Sequence, residues 1–97
     1  MRFEWDDKKN VSNLRKHGID FSEASAVFDD PNCEFLFDRN SYGEDRWHAI
    51  GFADAVTVLI LVAHTCRDDH DGTEVVRLIS ARAANAKERK LYGNGQV

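Results

Sequence analysis

The sequence predicts an α+β fold, with two N-terminal helices, then an antiparallel β-sheet of about four strands, then a C-terminal helix. Apolar residues recur at helical spacing from Val11 to Phe28, and the hydrophobic period changes to two after Pro31. A helix-start signal returns at Asn85. Because helices and strands occur in separate runs, we expect an antiparallel sheet rather than parallel βαβ units. A chain of 97 residues suits one hydrophobic core, so we expect a single domain over residues 1–97.

The N-terminal part of the chain is predicted to hold a short edge strand and the two helices. Residues 3–5 alternate apolar and charged side chains, which is typical of an edge strand. Asp6 is the expected N-cap of the first helix, and Gly18 its end. Asp20 and Glu23 have the spacing of a capping box, so we expect the second helix to begin there and to stop at the next proline.

Four segments with strand periodicity follow, at residues 33–38, 46–52, 56–65 and 74–82. The third is apolar on both faces, which predicts a central strand covered on two sides. A polar turn is expected around residues 40–44. The last helix is expected to begin at Asn85, with Glu88 as its capping-box partner, and to end at Gly93.

Charge is unevenly distributed along the chain. The net charge is −4, but residues 75–97 carry five basic residues against one acid, a net of +4, and residues 29–45 carry six acids against one arginine, a net of −5. A basic end on an acidic body favours local phosphate binding, while an acidic middle also serves solubility. Both interpretations stay open.

The sequence favours a cytoplasmic protein without a membrane segment. Residues 1–7 are charged and hold no apolar run, so we expect no signal peptide. The longest apolar stretch, at residues 55–63, is about half the length of a membrane span. Cys33 and Cys66 lie far apart in no CxxC pattern, which suits a reducing compartment.

Neither a metal site nor a nucleotide cofactor is expected. Residues 68–71 read Asp-Asp-His-Asp, but neighbouring residues of one loop rarely converge on one ion, and the spacing fits no calcium loop. The sequence contains no GxGxxG motif and no P-loop. We therefore expect no cofactor.

Short motifs along most of the chain resemble the BrnT family, the toxins of bacterial type II toxin–antitoxin systems. The motif with the highest specificity is Arg-Leu-Ile-Ser-Ala-Arg at residues 77–82. The other matching pieces, in order, are Phe3-Glu4-Trp5-Asp6, Asn13, Lys16-His17-Gly18, Phe21 to Phe28, Asp30-Pro31, Glu44 to Arg46, Ile50-Gly51, His64-Thr65, Arg67, Glu88-Arg89 and Tyr92. The chain departs from the family at Asn40-Ser41, where His-Ser is common, at Asp45, and in a longer loop at residues 68–74.

The resemblance implies a RelE-like fold and a metal-independent endoribonuclease that cleaves RNA and inhibits translation. It also implies a BrnA-type antitoxin with a ribbon–helix–helix end, which would contact operator DNA while the toxin itself does not. A 2:2 hetero-oligomer of toxin and antitoxin is what the family suggests.

Metal-free RNA cleavage usually proceeds by attack of the 2′-hydroxyl on the adjacent phosphate, which needs a base, an acid and cations. Histidine suits the proton transfers at neutral pH, and arginine suits the phosphate. The candidate catalytic residues are Arg46, His48, His64, Arg77 and Arg82.

Strand alternation predicts how some of these side chains are grouped. Arg46 and His48 are two residues apart and share a face. If residues 56–65 and 74–82 form a hairpin, His64 and Arg77 fall roughly opposite each other, whereas Arg82 is predicted to face away from Arg77. A histidine on an apolar strand is also often a core residue, and that alternative stays open for His64.

Candidate RNA-binding residues lie mainly near the two ends of the chain. For the Lys16-His17 pair, the alternative to RNA binding is a structural role as a cationic last helical turn, which the helix dipole favours. For Tyr92, the alternative is packing beside Leu91. These candidates are Lys16, His17, Arg67, Arg89, Lys90 and Tyr92.

A second function of another class also fits the sequence. The departure at Asn40 and the negative net charge fit a non-catalytic module that binds the antitoxin and tunes repression, with weak or no ribonuclease activity. Growth arrest and RNA cleavage would distinguish the enzyme from the binding module.

Overall fold

The computed structural model describes residues 1–39, 43–54 and 58–92. In chain order its elements are β1 (Arg2–Glu4), α1 (Asp7–His17), α2 (Phe21–Ala24), a 3₁₀ turn (Ser25–Asp29), β2 (Glu34–Asp38), β3 (Arg46–Gly51), β4 (Ile60–Asp68), β5 (Glu74–Ala83) and α3 (Ala86–Arg89). The expectation for Asn40-Ser41 lies outside the described residues. The predicted start of the third strand at residue 56 and the predicted end of the last helix at Gly93 were wrong, since β4 begins at Ile60 and α3 ends at Arg89.

The α+β class is confirmed, but the sheet is five-stranded and mixed, with the order β1-β5-β4-β3-β2. Strands β2 to β5 form the predicted antiparallel meander. The predicted count of about four antiparallel strands was wrong because β1 joins the sheet edge parallel to β5, with Phe3 opposite Val76. Alternation within three residues predicted an edge strand correctly, but it contains no information about the partner or its direction.

Local hydrogen bonds explain the helix boundaries. The Asp6 carboxylate accepts from the Lys8 and Lys9 amides, and Gly18 ends α1 with a φ of 74°, as predicted. Asp20 caps α2 by accepting from the amide of Ser22.

The second helix is shorter than predicted, because α2 spans only Phe21–Ala24 and then tightens into the 3₁₀ turn. Ser25 Oγ donates to the Ser22 carbonyl oxygen at 2.7 Å. A serine hydroxyl that binds the preceding turn competes with the α-helical backbone pattern, which accounts for the change in pitch.

The two faces of the sheet are covered differently. The face covered by α1, α2 and the 3₁₀ turn, here called the helical face, carries the main core. The other face, here called the open face, carries a smaller cluster under α3. Main-core residues are Ile19, Phe21, Ala24, Val27, Ala49, Ala53, Ile60, Val62, Val76, Leu78 and Ala81. The predicted central position of β4 is confirmed, since Val62 packs on one face and Leu61 on the other.

A β-bulge in β5 changes which side chains share a face. Ala63 pairs with Ser80, but His64 pairs with Leu78, so Ile79 is an extra residue on β5. Simple alternation is therefore interrupted between Arg77 and Arg82, and both project from the open face. The prediction that these arginines point in opposite directions was wrong.

The same register corrects the predicted pairing of His64 with Arg77. Arg77 pairs with Thr65, and His64 pairs with the next residue, Leu78. Directly opposite residues project to the same side of a sheet, so Arg77 lies on the open face and His64 on the helical face. Separately, within the described ranges, no helix is both long enough and apolar enough to cross a membrane.

Candidate functional site on the open face

Four of the five predicted catalytic side chains project from the open face. His48 pairs with Ala63, which in turn pairs with Ser80. Arg46 lies two residues before His48 on β3, while Arg77 and Arg82 lie on β5 on either side of Ser80. With about 4.8 Å between strands, β3 and β5 are about 10 Å apart. This distance is short enough for long arginine side chains to approach one phosphodiester.

His48 lies in a groove of about 720 Å³ between the β2–β3 hairpin and α3. Its Nε2 atom is 3.6 Å from Asp38 Oδ2, and the imidazole side chain keeps 28% of its surface exposed. The carboxylate is too far from the ring for a hydrogen bond, but it is close enough for an electrostatic interaction with an imidazole that solvent still reaches. The groove is lined by Leu36, Phe37, Asp38, Arg39, His48, Lys87 and Leu91.

Sequence reasoning missed three charged groups of this groove, namely Asp38, Arg39 and Lys87. Asp38 was detectable, because a hairpin of the two predicted strands places it opposite Arg46, as the register shows. Arg39 and Lys87 come together only because α3 folds back over the β2–β3 hairpin, which no spacing in the sequence indicates.

Arg46 has unused hydrogen-bonding capacity. Its Nε atom is 3.7 Å from Glu44 Oε1, a distance too long for a hydrogen bond. In the described part of the chain this buried Nε has no hydrogen-bond partner, although 41% of the side chain is exposed. An unsatisfied buried donor is costly, whereas the exposed part of the same side chain is accessible to an anion.

Arg82 is held by α3. Its Nη1 and Nη2 atoms donate to the two Glu88 oxygens at 2.8 and 2.9 Å. Glu88 also completes the predicted capping box with Asn85. The Arg82 hydrogen bond lowers the pKa of Glu88 from its usual value of 4.5, so Glu88 is ionised at neutral pH and is not available as a proton donor.

Arg77 belongs to a cluster of three charges at the β1 edge. Glu4 accepts from Arg67 at 2.8 and 3.1 Å and from Arg77 at 3.0 Å. These hydrogen bonds lower the pKa of Glu4 to about 2. One carboxylate thus balances two guanidinium groups, which leaves one positive charge in excess.

A family model described as the ribonuclease toxin BrnT of type II toxin–antitoxin systems matches residues 5–88. The chain belongs to the BrnT family. A search of curated proteins finds no match. The resemblance expected from the sequence motifs is therefore confirmed, and membership makes the chain a ribonuclease toxin by family and implies an antitoxin partner.

The fifth predicted catalytic residue of this BrnT-family toxin, His64, lies in an aromatic cluster on the helical face. Its ring contacts Phe28 at 4.8 Å and Phe35 at 6.1 Å between centroids, and only 2% of the residue is exposed. Burial lowers the pKa of His64 below 6.5. The structure therefore places His64 in the core, apart from the other four candidates.

Burial of neutral His64 predicts a loss of stability in mild acid. Below about pH 6.5 the unfolded chain binds a proton that the native imidazole resists, so the free energy of unfolding falls as the pH decreases. Urea unfolding at about pH 7.5 and about pH 5 is expected to show this loss in the native sequence. His64→Phe should have a smaller loss, and an unchanged pH dependence in that variant would contradict the assignment.

The predicted RNA-binding residues are scattered. Lys16 and His17 end α1, which packs on the helical face. Arg67 lies on the open face with Glu4. Arg89 donates to the Ala84 carbonyl oxygen, and Tyr92 donates to Asp30 at 2.6 Å. Lys90 is exposed after α3.

Acidic residues near the β4–β5 turn have internal partners. Asp69 accepts from Arg2 at 2.6 Å, and Asp71 accepts from the Thr73 amide. Across residues 1–39, 43–54 and 58–92, no three His, Cys, Asp or Glu side chains are grouped to hold a metal ion.

Proposed function

We propose that this toxin is a metal-independent endoribonuclease that binds RNA on the open face and inhibits translation by cleaving it in the cytoplasm. The observation that supports this most is the shared face of Arg46, His48, Arg77 and Arg82. The imidazole of His48 and the guanidinium of Arg46 on that face are both partly exposed. Histidine and arginine at that spacing supply a base and cations without a metal.

In the proposed reaction, His48 accepts the proton of a ribose 2′-hydroxyl. The 2′-oxygen then attacks the adjacent phosphorus, and the bond from phosphorus to the 5′-oxygen breaks. The products are a 2′,3′-cyclic phosphate and a 5′-hydroxyl end, whose proton comes from water in the open groove. The Asp38 carboxylate, 3.6 Å from Nε2, stabilises the positive charge that forms on the imidazole.

The arginines have different roles in this proposal. Arg46 binds the scissile phosphate through the exposed edge of its guanidinium group. Arg77, which shares Glu4 with Arg67, binds an adjacent phosphate. Arg82 is a positioning residue, since Glu88 occupies its two terminal nitrogens and the pair anchors α3 beside the groove.

Of the predicted RNA-binding residues, Arg67 and Lys90 remain in the proposal as backbone contacts. Arg67 shares the open face with Arg77, and Lys90 is exposed next to α3. Phosphate contacts of this kind position RNA without reading its sequence. His64 is left out because it lies on the other side of the sheet.

The antitoxin partner that the family implies is proposed to be of the BrnA type, with a ribbon–helix–helix end that binds operator DNA, in a 2:2 complex. Family membership supports a partner, and the motif resemblance supports its type. Mass measurement of the co-purified complex tests the stoichiometry.

Purified toxin incubated with RNA in excess EDTA tests the proposed function. We expect cleavage with cyclic phosphate ends, and growth arrest when the chain is expressed without its antitoxin. Cleavage that stops in EDTA and returns with a divalent ion would disprove metal independence.

The second candidate function, a non-catalytic antitoxin-binding module, is favoured by one observation. Arg77 and Arg82 both have internal carboxylate partners, as expected of structural ion pairs. A stable antitoxin complex together with neither cleavage nor growth arrest would support this alternative.

A further inference from the structure

The helical face carries an exposed aromatic cluster beyond the 3₁₀ turn. Phe35, Phe37 and Trp47 are 49%, 47% and 37% exposed. Phe37 and Trp47 form an edge-to-face pair with centroids 5.2 Å apart, and Phe35 packs against Phe28 at 5.9 Å. These contacts hold the rings together as one surface that α1 and α2 leave uncovered.

This surface borders a cleft of about 350 Å³, here called the aromatic cleft, with His64 at its floor. Contiguous exposed apolar surface can mark a binding site, and aromatic side chains are enriched at the centre of protein interfaces. The aromatic cleft is lined by Met1, Phe28, Phe35, Trp47, His64, Cys66, Glu74 and Val76.

Two acids lie opposite each other at one end of the aromatic cleft. Asp68 pairs with Glu74 across β4 and β5, so the two carboxylates project from the same face. Like charges directly opposite destabilise a sheet. Within the described residues, no salt bridge or side-chain hydrogen bond is formed by either carboxylate. A cation from outside the chain would relieve this repulsion.

We propose that the aromatic cleft binds the antitoxin through an amphipathic helix, with apolar side chains against the rings and a Lys or Arg over Asp68 and Glu74. From β2 to β5 the cleft crosses three strand intervals, about 14 Å, which is the length of roughly ten helical residues. This proposal rests on family membership, which implies an antitoxin, and not on the cleavage chemistry proposed for the open face.

The acidic end of the aromatic cleft argues against two other occupants. RNA would bring phosphate to the paired carboxylates, which repel it. In a symmetric dimer of this chain the same patch of both protomers faces the interface, so the acidic pairs of both copies would be desolvated together. A basic amphipathic partner is complementary to both the apolar and the charged part.

The location of the aromatic cleft also explains how an anchored antitoxin would block cleavage. Phe37 lies on β2, at the sheet edge, and contacts Trp47 beside the cleft. Phe37 also lines the groove that holds His48. A partner segment that leaves the cleft over β2 therefore reaches the catalytic groove directly.

Binding of the purified toxin to the full-length antitoxin encoded beside its gene tests this proposal by calorimetry. Phe35→Ser with Trp47→Ser, two exposed residues that line the cleft, is expected to weaken binding about 30-fold or more, and Asp68→Lys with Glu74→Lys about tenfold. Matched controls are Val11→Ser, exposed on α1, and Asp54→Lys, exposed after β3; both should bind like the native sequence.

Each outcome decides the proposal. Loss of binding in the two cleft variants, with native circular dichroism and native binding by both controls, supports it. If the serine variant does not fold, the charge-reversal pair alone decides, since its side chains are exposed. Native affinity in both variants overturns it, as does a cleft-dependent dimer of the toxin alone in sedimentation. Absence of RNA cleavage by the native chain contradicts the proposed function only.

Discussion

Replacement of His48 with Asn is expected to lower RNA cleavage about 10²- to 10⁴-fold, the usual range for loss of a general base. Asn keeps a polar side chain of similar reach beside Asp38, so the β2–β3 hairpin should remain folded. Arg46→Gln is expected to cost about 10²- to 10³-fold, because it removes a cation that stabilises charge in the transition state. The measurement is the rate of cleavage of a labelled RNA.

The matched controls for these variants are His70→Asn and Arg15→Gln. Both side chains are exposed, His70 in the β4–β5 turn and Arg15 on α1. Neither change should affect cleavage or growth arrest. If His48→Asn cleaved RNA at the native rate, the proposed base would be wrong.

Replacement of Asn13 with Ala is expected to destabilise the fold by about 3 kcal/mol and to lower Tm by about 10 to 20 °C. The buried Asn13 amide donates to the Ile19 and Ala81 carbonyl oxygens at 3.0 and 2.9 Å, and its Oδ1 accepts from the Ala81 amide at 3.1 Å. Alanine leaves these backbone groups without partners and detaches α1 from β5.

Ser12→Ala is the matched control, because Ser12 is the exposed neighbour of Asn13 on the same helix. Its effect on the free energy of unfolding should stay within about 0.5 kcal/mol. A similarly small effect of Asn13→Ala in thermal and urea unfolding would show that these hydrogen bonds do not anchor α1.

Local sequence signals were sufficient for the element order and for most boundaries. Asp6, Gly18 and Asn85 act on backbone groups within a few residues of themselves, so their effect can be predicted without knowing the fold. The apolar run that ends in β4 predicted a central strand for the same reason, since a side chain's hydrophobicity does not depend on its partner. The motifs along the chain also predicted the family.

Partners and faces depended on contacts between residues far apart in the chain. One extra residue, Ile79, places Arg82 on the same face as Arg77 and His64 on the opposite face from Arg77. Side chains alternate between the two faces along a strand, so one inserted residue reverses the face of every side chain that follows it. Likewise, β1 joined β5 in parallel, and α3 placed Lys87 in the His48 groove. Pairing register and packing set these arrangements, and neither can be predicted from the hydrophobic periodicity of the sequence.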